Sequence, residues 1–261
     1  MTSAVPDILA RIVEHKRSEL ATAAAALPEL EKLASERIAG HRDFSAALRS
    51  RNPAIISEIK KASPSRGVLS EHFDPPSIAA EYEAGGAVAL SVLTDQNFFQ
   101  GSFEHLRAAR DAVSIPVLRK DFTIDPFHVI EAAANGADAI LLIAAILTGG
   151  EMRDLRELAA RYGLAALVEV HNERELDSAL DSGAEIIGVN NRNLHTFEVQ
   201  LETSIRLAER MPSNIIRVSE SGIHSRGDIA RLQDSGFSVF LIGEYLMRSG
   251  KPREALQGLL A

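Results

Sequence analysis

The chain has 261 residues, of which 46% are hydrophobic and 25% charged, a composition typical of a soluble globular protein with one large core. Its formal net charge is -8 and it has no Lys/Arg-rich run, so we predict no nucleic-acid-binding surface. Because it contains no cysteine, disulfides, thiolate catalysis and cysteine–zinc sites are excluded, and we expect a cytoplasmic protein.

Residues 1–50 are predicted to form a helical extension. One face of its first helix is apolar and consists of Ile8, Leu9, Ile12 and Val13. A second helix is predicted over residues 29–38, and Asp43 is placed to cap a short third helix through Leu48. Charged residues interrupt the first helix, which argues against a secretory signal. We expect the extension to pack on the rest of the chain, so that residues 1–261 form one domain.

Eight short β-rich runs follow, with helical patterns between them. The predicted strands span residues 54–60, 88–94, 115–120, 138–143, 165–170, 185–190, 215–219 and 238–243. Eight such units over residues 51–261 predict a closed (β/α)8 barrel, the TIM barrel, in the α/β class. An open doubly wound sheet is the alternative, but the sequence has no dinucleotide-binding or P-loop glycine motif. The longest apolar run, residues 139–147, is far shorter than the roughly 20 residues of a membrane helix, so we predict no membrane span.

Charged and polar residues occur where the predicted strands end. Side chains alternate between the two faces of a strand, so Glu58 and Lys60 share a face, and Lys120 is in phase with the inward position Leu118. The predicted inward set is Glu58, Lys60, Lys120, Glu169, Asn190 and Glu220. Burying such groups unpaired is costly, and active sites of this fold lie at the carboxyl ends of the strands. This placement favours an active site over the alternative, a purely structural ion-pair network.

The last two strands end in a second pattern. Small residues and glycines follow them: Ser221 and Gly222 after the seventh strand, and Gly243 beside Glu244 after the eighth. Free backbone N–H groups and a short helix beginning near Glu244 are typical of the phosphate site of many barrels, although each pair alone is more often a tight turn. Ser63 and Arg192 can complete a phosphate cradle.

Eight motifs resemble those of the indole-3-glycerol phosphate synthase family. They are EIKKASPS (58–65), SVLT (91–94), FFQGS (98–102), PVLRKDF (116–122), GADAILLI (136–143), LVEVH (167–171), IGVNNRNL (187–194) and SESG (219–222). The resemblance implies a carboxy-lyase of tryptophan biosynthesis. Such an enzyme converts 1-(2-carboxyphenylamino)-1-deoxyribulose 5-phosphate into indole-3-glycerol phosphate, carbon dioxide and water. It also implies that neither a cofactor nor a metal is required.

The resemblance also implies catalytic roles. Lys120 would be the general acid for ring closure, and Glu169 the base or proton shuttle for the later dehydration. Lys60 would grip anionic substrate groups, with Glu58 holding the lysines in place. A lysine that faces a glutamate stays protonated, while we expect partial burial to lower the pKa of Lys120.

Substrate contacts follow from the same resemblance. A polar wall would be formed by Asn190, Glu220 and Ser221. An apolar slot for the aromatic ring would be formed by Phe99, Phe122 and Leu141. The phosphate would be bound by Ser63, Arg192, Gly222, Gly243 and Glu244.

Two other readings stay open at this point. One is a different phosphate-binding barrel, such as a phosphoribosylanthranilate isomerase or the α subunit of tryptophan synthase, although the chemistry of the isomerase relies on a cysteine that this chain lacks. The other is a non-catalytic barrel that binds an anionic metabolite or serves as a partner subunit. For His171 and His195 we expect surface or supporting roles. We expect a monomer that binds a small phosphorylated substrate.

Overall fold

The computed structural model describes residues 7–64, 67–70 and 73–261. Eight parallel strands form a closed barrel: β1 (Ala54–Ile59), β2 (Ala89–Leu93), β3 (Val117–Lys120), β4 (Ala139–Ile143), β5 (Ala165–Val170), β6 (Ile186–Asn190), β7 (Ile216–Glu220) and β8 (Val239–Ile242). The barrel is closed because β1 pairs with β8 on one side and with β2 on the other. The predicted (β/α)8 barrel is therefore confirmed, and the open sheet is excluded.

Helices alternate with these strands and precede them. In chain order they are α1 (Asp7–Ala23), α2 (Leu27–Arg37), α3 (Phe44–Arg49), α4 (Pro75–Gly85), α5 (Gln96–Phe99), α6 (Phe103–Asp111), α7 (Pro126–Ala134), α8 (Gly149–Arg161), α9 (Glu173–Asp181), α10 (Glu202–Ala208), α11 (Arg226–Asp234), α12 (Glu244–Arg248) and α13 (Pro252–Leu260). A two-residue ribbon, Ala62–Ser63 with Gly67–Val68, lies in the loop after β1. No helix in the described ranges is long and apolar enough to cross a membrane.

Polar caps explain where several helices begin. The predicted cap Asp43 accepts a hydrogen bond from the Ala46 N–H and starts α3. Side-chain caps also start six helices of the barrel, at Asp95, Ser102, Asp125, Thr148, Asn172 and Ser225. Each cap satisfies a backbone N–H that has no partner inside its helix.

The barrel has two apolar layers because strand side chains alternate. The outer face of each strand packs against the surrounding helices, as Ile55 and Val168 do. The inner face fills the barrel, with Ile56, Leu118 and Leu167 among its members.

The amino-terminal helices close both ends of this inner layer. Leu9 and Ile12 of α1 join it at the carboxyl end of the strands, while Phe44 and Leu48 of α3 join it at the other end. These two helices therefore pack on the barrel.

A buried ion cluster fixes α1 on the barrel. Lys16 is only 4% exposed, and its Nζ lies 3.0 Å from Oδ1 of Asp121 and 3.1 Å from Oδ2 of Asp95. Burial works to lower the pKa of Lys16, but the carboxylates of Asp121 and Asp95 outweigh it and the pKa is raised. Asp121 follows the predicted catalytic residue Lys120 directly, so the helix is anchored next to that strand end. This anchor was not predicted from the sequence.

Candidate active site

A cavity of about 340 Å³ lies at the carboxyl ends of the strands. All fifteen residues predicted for catalysis, substrate binding or phosphate binding line it. Ser65, the last residue of the first motif, lies outside the described residues. The fold brings these predicted residues together, because the carboxyl ends of eight parallel strands meet around one opening.

Two lysines and three glutamates form the floor of this cavity. Lys120 Nζ donates to Oε2 of Glu169 over 2.7 Å and to Oε2 of Glu220 over 3.2 Å. Lys60 Nζ donates to Oε1 of Glu58 over 2.5 Å. The three carboxylates are each at most 4% exposed, so their charges interact in a medium that screens them weakly. The predicted inward direction of these side chains is confirmed.

Lys120 and Glu169 shift each other's pKa because an ammonium and a carboxylate are buried side by side. Burial works to lower the pKa of Lys120, but the charges of Glu169, Glu220 and Glu58 outweigh it and the pKa is raised. The expectation that burial would lower this pKa is therefore wrong for this arrangement. Burial works to raise the pKa of Glu169, yet Lys120 and His171 hold it well below its usual range.

Glu220 shifts in the opposite direction. Burial, together with the negative charge of Glu169, raises the pKa of Glu220 to about 7 although Lys120 opposes the shift. Two carboxylates around one ammonium therefore differ in protonation near neutral pH. Such opposite shifts identify groups suited to different steps of acid–base chemistry.

The apolar wall of the cavity has more members than were predicted from the sequence. The rings of Phe99 and Phe122 lie with their centroids 6.1 Å apart and their planes inclined by 36°, and Leu141 lines the same cavity. Three additional members, Ile8, Leu9 and Ile12, come from α1. Their apolar face was recognised in the sequence, but a helical pattern does not reveal which surface it will contact.

The predicted phosphate end lies on the other side of the cavity. Ser221 and Gly222 are consecutive residues with φ of 68° and 80°, and this left-handed turn lines the cavity. The short helix α12 begins at Glu244, as predicted. Its carboxylate lies 3.5 Å from Nη2 of Arg192, so only the backbone N–H of Glu244, and not its side chain, suits an anion.

A buried amide that was not predicted supports this turn. Asn191 is 1% exposed, and its Nδ2 donates to the backbone oxygen of Ser221 over 3.1 Å and to Oγ of Ser219 over 3.0 Å. Its Oδ1 accepts from the hydroxyl of Ser204 over 2.8 Å. Asn191 therefore connects the ends of β6 and β7 and holds the left-handed turn in place. Its neighbour Asn190 has the side chain that lines the cavity.

The described residues include no group of three or more histidine, aspartate or glutamate side chains placed to hold a metal ion. The absence of a cofactor stays a prediction.

A sequence model of the indole-3-glycerol phosphate synthase family matches residues 9–259 of the chain. The chain belongs to this family. It is 52% identical over 257 residues to an indole-3-glycerol phosphate synthase from Koribacter versatilis, a match that covers 97% of this chain and 98% of that one. A synthase from Chromobacterium violaceum is 50% identical over 258 residues, with 97% of each chain covered. The family predicted from the motifs is confirmed.

Solved structures add a likeness in fold. A thiamine phosphate pyrophosphorylase from Pyrococcus furiosus superposes with a TM-score of 0.60 at 17% sequence identity, covering 80% of this chain and 94% of that one. At this identity the likeness extends to the barrel alone.

Proposed function

We propose that the chain catalyses the reaction of its family. It converts 1-(2-carboxyphenylamino)-1-deoxyribulose 5-phosphate into indole-3-glycerol phosphate, carbon dioxide and water, and it is a carboxy-lyase of tryptophan biosynthesis. The observation that carries the proposal is the ammonium of Lys120 between Glu169 and Glu220, on the floor of a cavity with one apolar side and one side suited to an anion.

Ring closure requires a proton donor at the ketone. The ring carbon that bears the carboxylate attacks the ketone carbon, and the ketone oxygen takes a proton from Lys120 to become a hydroxyl group. The raised pKa of Lys120 keeps the donor protonated at neutral pH, and the negative charge that develops on the oxygen is stabilised in a buried site. Loss of carbon dioxide from the same ring carbon then restores the aromatic ring.

Dehydration requires a base. Glu169 takes a proton from the carbon beside the ring nitrogen. The hydroxyl group leaves as water after it accepts a proton from Lys120, which has regained one from solvent since ring closure. Glu169 suits this step because its lowered pKa keeps it ionised until it acts. Lys60, oriented by Glu58, faces the same cavity and would hold the anionic carboxylate of the substrate until it leaves.

Substrate orientation follows from the two sides of the cavity. The aromatic ring packs between the apolar residues Phe99, Phe122 and Leu141. Asn190, Glu220 and Ser221 contact the hydroxyl groups of the sugar chain. The phosphate lies at the far end, where it is held by Ser63, Arg192, Gly222, Gly243 and the backbone of Glu244. The proposal also includes three predictions made from the sequence: one domain over residues 1–261, a monomeric state and a cytoplasmic location.

Removing the proton-transfer groups tests this assignment. Lys120→Ala and Glu169→Gln should each lower kcat by about a hundredfold or more, as expected for loss of a positioned acid or base. The assay follows the growth of indole fluorescence with the carboxyphenylamino-deoxyribulose phosphate as substrate. Matched controls are Lys251→Ala and Glu254→Gln, which alter an exposed ion pair at the start of α13 and should leave kcat unchanged.

Two results would contradict the proposal. Wild-type turnover by either variant would remove that residue from the mechanism. Binding of the substrate by the unaltered protein without product formation would instead favour a barrel that binds an anionic metabolite and does not catalyse.

A further inference from the structure

His171 lies directly behind the carboxylate of Glu169. It follows the last residue of β5, and its side chain is 11% exposed without lining the cavity. Its Nε2 lies 3.4 Å from Oε1 of Glu169, and its Nδ1 lies 2.9 Å from Oε2 of Glu175. The imidazole therefore separates two carboxylates, one that faces the cavity and one at the start of α9.

Glu175 and Asn172, at the start of α9, fix the orientation of the His171 ring. Oε2 of Glu175 also accepts the backbone N–H of His171 over 2.8 Å, and its Oε1 accepts from Nδ2 of Asn172 over 2.6 Å. Asn172 in turn caps α9 by accepting the N–H of Glu175 over 3.0 Å. With Nδ1 directed at Glu175, Nε2 is left to face Glu169.

The ring is an imidazolium at neutral pH. Burial works to lower the pKa of His171, but Glu169 and Glu175 outweigh it and raise the pKa to about 9. The two oxygens of Glu169 consequently have different cationic partners, with His171 at Oε1 and Lys120 at Oε2. Two further carboxylates act on this assembly: Glu220 on β7 shares the ammonium of Lys120, and Glu58 on β1 helps to raise the pKa of Lys120.

We propose that His171 is a positioning residue, which as an imidazolium holds Oε1 of Glu169 so that Oε2 faces Lys120 and the carboxylate stays ionised until it takes the substrate proton. The proposal rests on the proposed function only in that Glu169 is the base. It adds a chain of alternating charges, Glu175, His171, Glu169 and Lys120, that runs from the start of α9 into the cavity. Removing the imidazolium should raise the pKa of Glu169 and free its carboxylate to rotate.

The first test measures the pH at which the imidazole of His171 loses its proton. An NMR titration of the histidine rings in the unliganded protein should give His171, assigned by its loss in His171→Gln, a midpoint near pH 9. A midpoint near the ordinary value of about 6.5 would overturn the proposal. This measurement needs no turnover, so a failure of the proposed function would leave its result readable.

The second test measures turnover against pH. His171→Leu should lower kcat by about tenfold, equivalent to about 1.4 kcal/mol, with KM within about twofold of the unaltered protein. His171→Gln retains a neutral hydrogen-bond donor, so its kcat should lie between that of His171→Leu and that of the unaltered protein. In the unaltered protein kcat should fall above about pH 9 as the ring loses its proton, and this decline should be missing in both variants. His195→Gln removes an exposed imidazole from the same end of the barrel and should change neither kcat nor its decline above about pH 9.

Further outcomes decide against the inference. A wild-type kcat for His171→Leu, or an effect confined to KM, would overturn it. If neither His171 variant folds, Glu175→Gln keeps the ring but removes the carboxylate that stabilises its charge. In that variant the titration midpoint of His171 should be lower by at least about one pH unit, and kcat should begin to decline at a pH that is lower by the same amount. An unchanged midpoint would refute the chain of charges.

Discussion

Gly188→Ala is the substitution whose effect can be worked out most directly from the structure. Gly188 lies on the inward face of β6, paired with Glu169 on β5 and Val218 on β7. Its φ is not in the left-handed region, so the backbone accepts alanine without strain. A Cβ at this position would overlap Oε1 of Glu220 and lie 3.2 Å from both Cδ of Glu220 and Cδ1 of Leu167.

The overlap requires the carboxylate of Glu220 to move by about 1 Å to restore ordinary van der Waals separation. Its hydrogen bond to Lys120 Nζ is already 3.2 Å long, so a movement of this size breaks it. Displacement of a catalytic group by 1 Å can cost about a hundredfold in rate. We therefore expect kcat of Gly188→Ala to fall by about a hundredfold, with a loss of about 1–3 kcal/mol in the free energy of unfolding from the extra volume.

The assay is steady-state indole fluorescence, combined with urea unfolding followed by circular dichroism. Gly258→Ala is the matched control, because it adds the same methyl group to α13, where no atom lies within 4 Å of the new Cβ. The control should keep its kcat and gain about 0.5–1 kcal/mol of stability. A folded Gly188→Ala protein with kcat within about twofold of the unaltered one would refute the close approach of Glu220 to β6.

Two further predictions concern the phosphate end and the anchor of α1. Arg192→Ala should raise KM by about tenfold or more and change kcat little, because a charge-assisted hydrogen bond to phosphate contributes about 1.5–3 kcal/mol; an unchanged KM would remove Arg192 from the phosphate site. The guanidinium of Arg119 and the ammonium of Lys16 outweigh the burial of Asp121 and hold the pKa of that carboxyl well below its usual range. The ionised carboxylate therefore stabilises the fold at pH values above about 4, the pKa of aspartate in the unfolded chain. This stabilisation is lost as the pH falls from about 4 toward the lower pKa of the folded protein. Asp121→Asn should therefore be less stable than the unaltered protein at pH 7, and the difference should shrink toward pH 2; an equal difference at both values would contradict this account.

Alternation along the strands explains why so much of the site could be predicted. Once β3 and β5 are recognised, a period of two residues places Lys120 on the face of Leu118 and Glu169 on the face of Leu167, and both leucines fill the barrel. The pairing of Lys120 with Glu169 and Glu220 is different, because it depends on how strands meet across a closed barrel. Local sequence patterns carry no information on those distances.

The same distinction explains the residues that were missed. Lys16 follows Leu9 and Ile12 at helical spacing, so the sequence reveals its face but not that two aspartates from separate loops will enclose it. Asn191 is one residue from a predicted site residue, yet its role depends on the backbone oxygen of Ser221 in the next strand's loop. Both are buried polar groups that are satisfied only by partners distant in the sequence.

The environments of Glu169 and Glu220 explain why one type of side chain can take two roles within one cavity. Both are buried and both contact Lys120, but its Nζ lies 2.7 Å from Glu169 and 3.2 Å from Glu220, so the lysine favours the ionised form of Glu169. A second cation adds to this difference, because His171 lies beside Glu169, while among the described residues the ion pair of Glu220 is with Lys120. A proton that enters the cluster near neutral pH is therefore held by Glu220, and Glu169 remains ionised to accept the substrate's proton.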